Sequence, residues 1–218
     1  MTYSIAAQCP ISGAFGIAIT SSSICVPSRC AWIGPLGAVV TQNVTDPGLG
    51  PAGQALLRQG LQAGSVLDIL RDGTPQPEWR QIGVVDRYGK TAFHSGAEAL
   101  GTAAVAQGNA ALAMGNLLSN EDVPQAMIRA FSATGPGMPL AERLLGALEA
   151  GLDAGGETGD EHSAGLHVAN RFDWPVVDLR IDWSDTPIAG LRALWTRYKP
   201  QQAEYELRAR NPSDAPTF

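Results

Sequence analysis

MTYSIAAQ, residues 1–8, alternates Thr2, Ser4 and Ala6 against Tyr3, Ile5 and Ala7. A period of two is the pattern of a β-strand that shows different chemistry on its two faces. The strand is expected to open at residue 2, leaving no disordered leader. Two readings of its first residue stand side by side. Either the strand merely starts early, or the terminus itself is the working part.

The surroundings favour an interior position. Between Met1 and Thr45 the only charged side chain is Arg29. In ordinary globular sequence about a quarter of residues are charged, so this segment is expected to be buried or to line a cleft. Phe15–Ser21 is a second apolar, β-leaning run, separated from the first by Pro10, Ser12 and Gly13, and the pair reads as a hairpin. Residues 36–43, LGAVVTQN, form a third strand ending in polar groups, and TDPGLGP after it is a loop. Helical spacing of Ala52, Leu56, Leu57 and Leu61 follows. A second helix is expected with Ser65 as N-cap and Asp68 three residues on.

RQIGVVD (80–86) and KTAFH (90–94) flank a turn and form another hairpin. Residues 102–114 are small and apolar, and their pattern assigns no state. Ser119 or Asn120 opens a helix to Phe131, and Pro139 opens a longer one stopped by Gly155 and Gly156. SAGLHVAN (163–170) and VVDLRIDW (176–183) are strands, and Pro187 starts a last helix. Strands and helices thus come in blocks, which favours α+β with antiparallel sheets over a parallel doubly wound sheet. The expected architecture stacks two sheets between two helical layers. Residues 1–198 read as one domain and 199–218 as a polar tail whose last eight residues fray.

The whole chain is 218 residues, 44% hydrophobic, with a net charge of −6. That describes an ordinary folded protein. Its 15 basic residues are scattered, so no nucleic-acid surface is expected. No apolar run reaches the ~18–20 residues of a membrane span, and no signal peptide is visible. Three cysteines, Cys9, Cys25 and Cys30, fit free thiols and a cytoplasmic setting.

Thr2 is the first candidate for chemistry. Methionine removal favours a small second residue, and would leave Thr2 with a free α-amine beside its own hydroxyl. An α-amine has a pKa of about 7.7–8.0, suited to a general base, and such a threonine is a known nucleophile arrangement. The alternative is an unremarkable second residue. Metal binding is not expected: His94, His162 and His167 are dispersed, and there is no HExxH or CxxC. There is no GxSxG elbow, and each cysteine reads as a buried, inert thiol. Gln42, Asn43 and Asp46 stand at a strand end, where amides can face a cleft; turn formation by Asp46-Pro47 is the rival reading. Asn116 lies in GNLL, read as a polar turn. The acidic loop Glu157, Asp160, Glu161 reads as solvated.

The blocks TYSIAAQ (2–8), FGIAI (15–19), GAVVTQNVTDP (37–47), RQIGVVD (80–86), GNLLSNEDVPQAM (115–127), LAERLLGALEAG (140–151), SAGLHV (163–168) and VVDLRID (176–182) come in an order that resembles an uncharacterised bacterial family, domain of unknown function 1028, grouped with Ntn-hydrolase-like proteins. The resemblance covers roughly residues 2–197. It implies a four-layer αββα fold in which the first strand carries a Thr, Ser or Cys exposed by processing, here Thr2. That residue attacks an amide carbonyl while its α-amine shuttles the proton. Proteasome-type members of that wider group use an early Asp and a Lys. This chain has no acid before Asp46, its only lysines are Lys90 and Lys199, and Ser21, Ser22 and Ser23 fall where the early Asp would stand. The loop before SAGL reads GETGDEHS where an arginine is expected.

The resulting expectation is a cytoplasmic, homo-oligomeric amidohydrolase for a small amide. Thr2 is the nucleophile, and Asn43 or Asn116 an oxyanion or orienting donor. Arg29, Ser21, Gln42 and Asp46 face the substrate. No cofactor, metal, nucleic acid or membrane partner is expected. A binding or assembly protein that keeps the fold without the chemistry is the first alternative, and a cysteine-dependent amidase the second.

Overall fold

The computed structural model describes residues 1–216. Strands β1 (Thr2–Gln8) and β2 (Phe15–Ser21) form the expected hairpin, in register from Tyr3↔Thr20 to Gln8↔Phe15. They are the centre of a six-stranded sheet in the order β10-β9-β2-β1-β8-β7. Its other members are β7 (Ala104–Gly108), β8 (Ala111–Asn116), β9 (Ser163–Ala169) and β10 (Val177–Ile181). A four-stranded sheet runs β3 (Ala31–Gly34), β4 (Gly37–Asn43), β5 (Arg80–Asp86), β6 (Thr91–Ser95). Every strand pairing among the described residues is antiparallel.

The sheets pack face to face, with β1 against β4 and β5, and β2 against β3. Helices α2 (Leu49–Arg58) and α3 (Ala63–Gly73) cover the smaller sheet. Helices α4 (Val123–Ala133), α5 (Leu140–Asp153) and α6 (Pro187–Tyr198) cover the larger. The result is the expected αββα sandwich of α+β class. Three apolar clusters fill its layers. Tyr3, Ile5 and Ala7 of β1 pack with α4 and α5. Val39, Ile82 and Val84 pack under α2 and α3. Ala6, Phe15, Ile17, Ile19, Ala38, Val40, Val85 and Leu112 pack between the sheets. Gly83 lets the sheets close there, since a Cβ on it would lie 2.9 Å from Leu112 Cδ2 and from Met114 Sδ.

Several boundaries differ from the sequence reading. Residues 31–34 add a strand after a four-residue helix, α1 (Pro27–Cys30). The unassigned stretch 102–114 is largely the β7/β8 hairpin: its small side chains have weak preferences of their own, and pairing with β1 decides their state. α3 begins at Ala63, so Ser65 sits inside its first turn rather than capping it. α4 begins at Val123, after a turn in which Asn120 Oδ1 accepts the Asp122 N–H. The polar segment from Lys199 carries a helix, α7 (Gln202–Arg210), with Tyr205 stacked on Tyr198. Of the eight residues expected to fray, Pro212–Asp214 form a 3-10 turn, and Thr217 and Phe218 lie outside the described residues.

The inter-sheet space changes character along its length. On β1 the inward row runs Ala6, Ser4, Thr2; on β2 it runs Ile17, Ile19, Ser21. On β4 it runs Ala38, Val40, Gln42, on β5 Val85, Gly83, Gln81, and on β8 Leu112, Met114, Asn116. All five rows turn polar at the same end, the end where the chain begins.

Candidate functional site

Thr2 stands at the first position of β1, 6% exposed, directly opposite Asn116 of β8. Its Oγ1 donates to the Met1 carbonyl oxygen and lies 3.3 Å from Ser21 Oγ. Ser21 Oγ also donates to the Met1 carbonyl, and accepts the Ser23 N–H at 3.0 Å. Two hydroxyls thus converge on the carbonyl that precedes Thr2.

Below them runs a buried chain of amides. Ser4 Oγ donates to Gln42 Oε1 at 2.8 Å, and Gln42 Nε2 donates to Gln81 Oε1 at 3.1 Å. Asn116 Nδ2 reaches the same Gln81 oxygen at 3.0 Å. Gln81 Nε2 then donates to the Gly115 carbonyl and to Ser95 Oγ, both at 3.0 Å. A buried amide needs its partners, because an unpaired donor or acceptor costs about 1–3 kcal/mol. The chain meets that need almost completely. The exception is Asn116 Oδ1, which has no hydrogen-bond partner among the described residues.

A carboxyl reaches this end of the cleft from a stretch distant in sequence. Glu157, expected in a solvated loop, is 5% exposed. Its backbone forms an antiparallel bridge with Leu118, just past the end of β8, which draws it inward. Its Oε2 accepts the Ser22 N–H at 3.0 Å, while Oε1 has no hydrogen-bond partner. Burial pushes its carboxyl up to about 8; the Ser22 N–H and the Met1 ammonium pull it down, and Glu161 pushes it up. Glu161 accepts the Glu157 N–H at 3.2 Å. The Tyr3 phenol, on the other face of β1, is also pushed up, by burial first and then by Glu161 and Glu157.

Met1 lies over this end of the cleft. Thr158 Oγ1 is 3.3 Å from the Met1 sulfur, and a Cβ on Gly159 would lie 3.2 Å from the Met1 methyl.

The structure therefore gathers Thr2, Ser21, Asn116 and Gln42, the last through Ser4. It assigns the other expected site residues to local work. Asn43, at a φ of 71°, donates to the Trp79 carbonyl at 2.7 Å and accepts the Leu100 N–H at 3.1 Å, so its amide is spent on two loops. Asp46 accepts the Gly48 N–H at 2.9 Å and is 3.4 Å from Thr74 Oγ1, the turn role that was its rival reading. The Arg29 guanidinium donates to the Ile24 carbonyl at 2.6 Å and the Cys25 carbonyl at 3.3 Å, closing the turn before α1. Asn116 is in strand β8, not in a turn. Sequence reading missed Ser4, Gln81 and Glu157. Of these, Gln81 carries a signal, a polar residue ending an otherwise apolar inward row.

Other chemistries find less support. Cys30 Sγ lies 3.4 Å from Thr45 Oγ1, and Cys9 Sγ 3.9 Å from the Pro136 carbonyl; no cysteine–histidine hydrogen bond occurs among the described residues. No group of three or more His, Cys, Asp or Glu side chains is placed to hold a metal ion among the described residues. GLGPAG, residues 48–53, has the glycine spacing of a dinucleotide turn. Here a Cβ on Gly50 would meet the Trp32 ring at 2.0 Å and one on Gly53 would meet Val39 at 2.8 Å. α2 leads to α3 and then to an antiparallel strand, so these glycines serve helix–sheet contact. No helix among the described residues is long and apolar enough to cross a membrane.

Residues 2–191 match the family of unknown function DUF1028, and the chain belongs to that family, as the sequence blocks implied. The crystal structure of a Silicibacter pomeroyi protein of DUF1028 is similar to it at a TM-score of 0.83 and 28% identity, over 91% of this chain and 89% of that one. No curated protein matches the chain.

Proposed function

We propose that the protein is a cytoplasmic amidohydrolase of N-terminal-nucleophile type, acting on a small amide once Met1 has been removed. Thr2 Oγ1 adds to the amide carbonyl carbon, and its proton passes to the Thr2 α-amine. The amine returns the proton to the leaving nitrogen as the C–N bond breaks. Water then hydrolyses the ester on Thr2, its proton following the same route. The observation that carries this reading is the placement of Thr2: buried, on a central strand, with its hydroxyl and that of Ser21 both on the preceding carbonyl. Asn116, across from Thr2, is the orienting residue and holds a carbonyl oxygen free to accept a proton donor. A homo-oligomer remains part of the proposal.

The test has two steps. Intact mass of untagged protein made in cells is expected to show loss of Met1. Thr2→Ala is then expected to abolish turnover in a screen of small amides, a loss of at least about a hundredfold for a covalent nucleophile. Full retention of Met1, or undiminished turnover, overturns the reading.

A further inference from the structure

An amide side chain can turn either its oxygen or its nitrogen to a neighbour. A chain of amides is decided by whichever member meets a group with only one role. Here that group is the Gly115 carbonyl, which can only accept. It draws Gln81 Nε2 to itself at 3.0 Å, so Gln81 turns its oxygen the other way. Gln42 Nε2 and Asn116 Nδ2 both donate to that oxygen, at 3.1 and 3.0 Å. Gln42 is left with its oxygen for the Ser4 hydroxyl. Asn116 is left with its oxygen for its cross-strand partner, Thr2. That oxygen is buried and has no hydrogen-bond partner among the described residues.

The backbone offers Thr2 a second acceptor from the same residue. Along an antiparallel pair, opposed residues that exchange hydrogen bonds alternate with those that do not. Gln8 N donates to the Ala110 carbonyl at 2.8 Å, and Thr2↔Asn116 lies six residues further along the same register. Thr2 N therefore faces the Asn116 carbonyl. While Met1 is attached, that nitrogen carries one hydrogen, which the strand pairing takes. Once freed, it carries two hydrogens and a lone pair.

We propose that Gln81 is a positioning residue for the nucleophile. It holds Asn116 with its side-chain oxygen toward Thr2, so that the two oxygens of Asn116 take the two hydrogens of the freed amine. The lone pair is then left for the Thr2 hydroxyl, whose proton it receives as the hydroxyl attacks. The inference rests on the reading of Thr2 as nucleophile, and it names what aims the base. An oxygen in that place would repel an oxyanion, so Asn116 orients the amine and does not stabilise the intermediate. The titratable groups on the elements around Thr2 are Glu157, Glu161 and His162 before β9, Arg29 and Cys30 on α1, and Tyr3 on the other face of β1. The inward rows of β2, β4, β5 and β8 hold none.

The experiment uses protein whose N-terminus is Thr2, released from an upstream fusion by a site-specific protease, and follows the Thr2 amine by NMR as pH is varied. Every form carries Glu157→Gln, because that carboxyl would otherwise titrate over the same range. The Asn116 side-chain carbonyl resonance is expected to titrate with the amine, at the same midpoint. Asn116→Leu is expected to lower the midpoint by about one unit, the equivalent of one hydrogen bond to an ammonium. Gln81→Met, which frees Asn116 to turn, is expected to lower it by part of that amount. Gln81→Glu is expected to restore it, since a buried acid that keeps its proton can donate to the Gly115 carbonyl and accept from Asn116 in the same sense. A merely structural Gln81 would lower the melting temperature and leave the midpoint in place. An Asn116 resonance that does not follow the amine, or a midpoint that Asn116→Leu or Gln81→Met leaves unmoved, overturns the proposal. The first of these needs no substitution at either residue, so it decides even where a variant fails to fold. The two readings fail differently. An amine held in this way on protein that hydrolyses no small amide removes the chemistry and leaves the positioning. Turnover lost in Thr2→Ala but unaffected by Asn116→Leu at every pH does the reverse.

Discussion

The two ends of the inter-sheet space are built from the same five strands and differ in almost everything else. At one end Phe15, Ile17, Val40, Val85 and Leu112 interdigitate without a polar atom among their side chains. At the other, Ser4, Gln42, Gln81 and Asn116 link β1, β4, β5 and β8 by hydrogen bonds next to Thr2. The apolar end stabilises the sandwich by burial, a force with no preferred direction. The amide end gains little net stability, because each bond replaces one to water. What it supplies is direction: an amide in a closed network has one orientation, and strands tied through it cannot slip. A fold that needed only stability would continue Val and Ile to the last residue of each row.

This contrast can be broken by measurement. Phe15→Ala is expected to cost about 4 kcal/mol in chemical denaturation, as large-to-small changes in a core do. Gln81→Met, which keeps the volume, is expected to cost about 3 kcal/mol, because it strands Gln42 Nε2, Asn116 Nδ2 and the Gly115 carbonyl. If Gln81→Met proves the costlier, the amide end is an anchor of the fold and the division of labour fails. The remaining effects are pH-dependent. Glu157 holds its proton up to about pH 8 when folded but only to 4.5 when unfolded, so the folded state binds more protons in that window. Its contribution to stability therefore falls as pH rises from 4.5 to 8. His167 is the opposite case. Burial lowers its pKa to about 4 against 6.5 unfolded, with Asp178 pulling up and Arg180 down. The unfolded chain binds the extra proton there, and stability rises with pH from 4 to 6.5. These shifts correspond to roughly 5 kcal/mol for Glu157 and roughly 3 kcal/mol for His167. The melting temperature is expected to stay level between pH 4.5 and 6.5 and then fall to pH 8; Glu157→Gln is expected to abolish the fall, and His167→Gln to extend it down to pH 4.5.

Most of the sandwich was legible because its signal is local. Thr2–Gln8, Arg80–Asp86 and Ser163–Ala169 alternate or run apolar over strand lengths, and Pro139, Pro187 and Gly155-Gly156 punctuate helices where the structure has them. Residues 104–116 were not legible, since Ala and Gly side chains state no preference and the neighbour decides. The site divides in the same way. Gln42 ends an apolar strand and so declares itself, Ser21 was singled out through the family resemblance, and Asn116 was placed in a polar turn because the strand that carries it was not legible. Asn43 and Asp46 stand one and four residues beyond Gln42, where alternation and turn chemistry point elsewhere. Glu157 was hidden by its company: in GGETGDE every neighbour argues for water, and only the bridge to Leu118, 39 positions earlier in sequence, turns it inward.

The bond from Met1 to Thr2 also makes the start of the chain an experimental variable. Whatever is joined ahead of residue 2 must leave through the mouth between Ser21 and the 157–159 loop, as Met1 does. An affinity handle fused at that end would act as a plug, and a purified sample could look inert for reasons of cloning alone. α7, with no buried residue, is the end to which such a handle belongs.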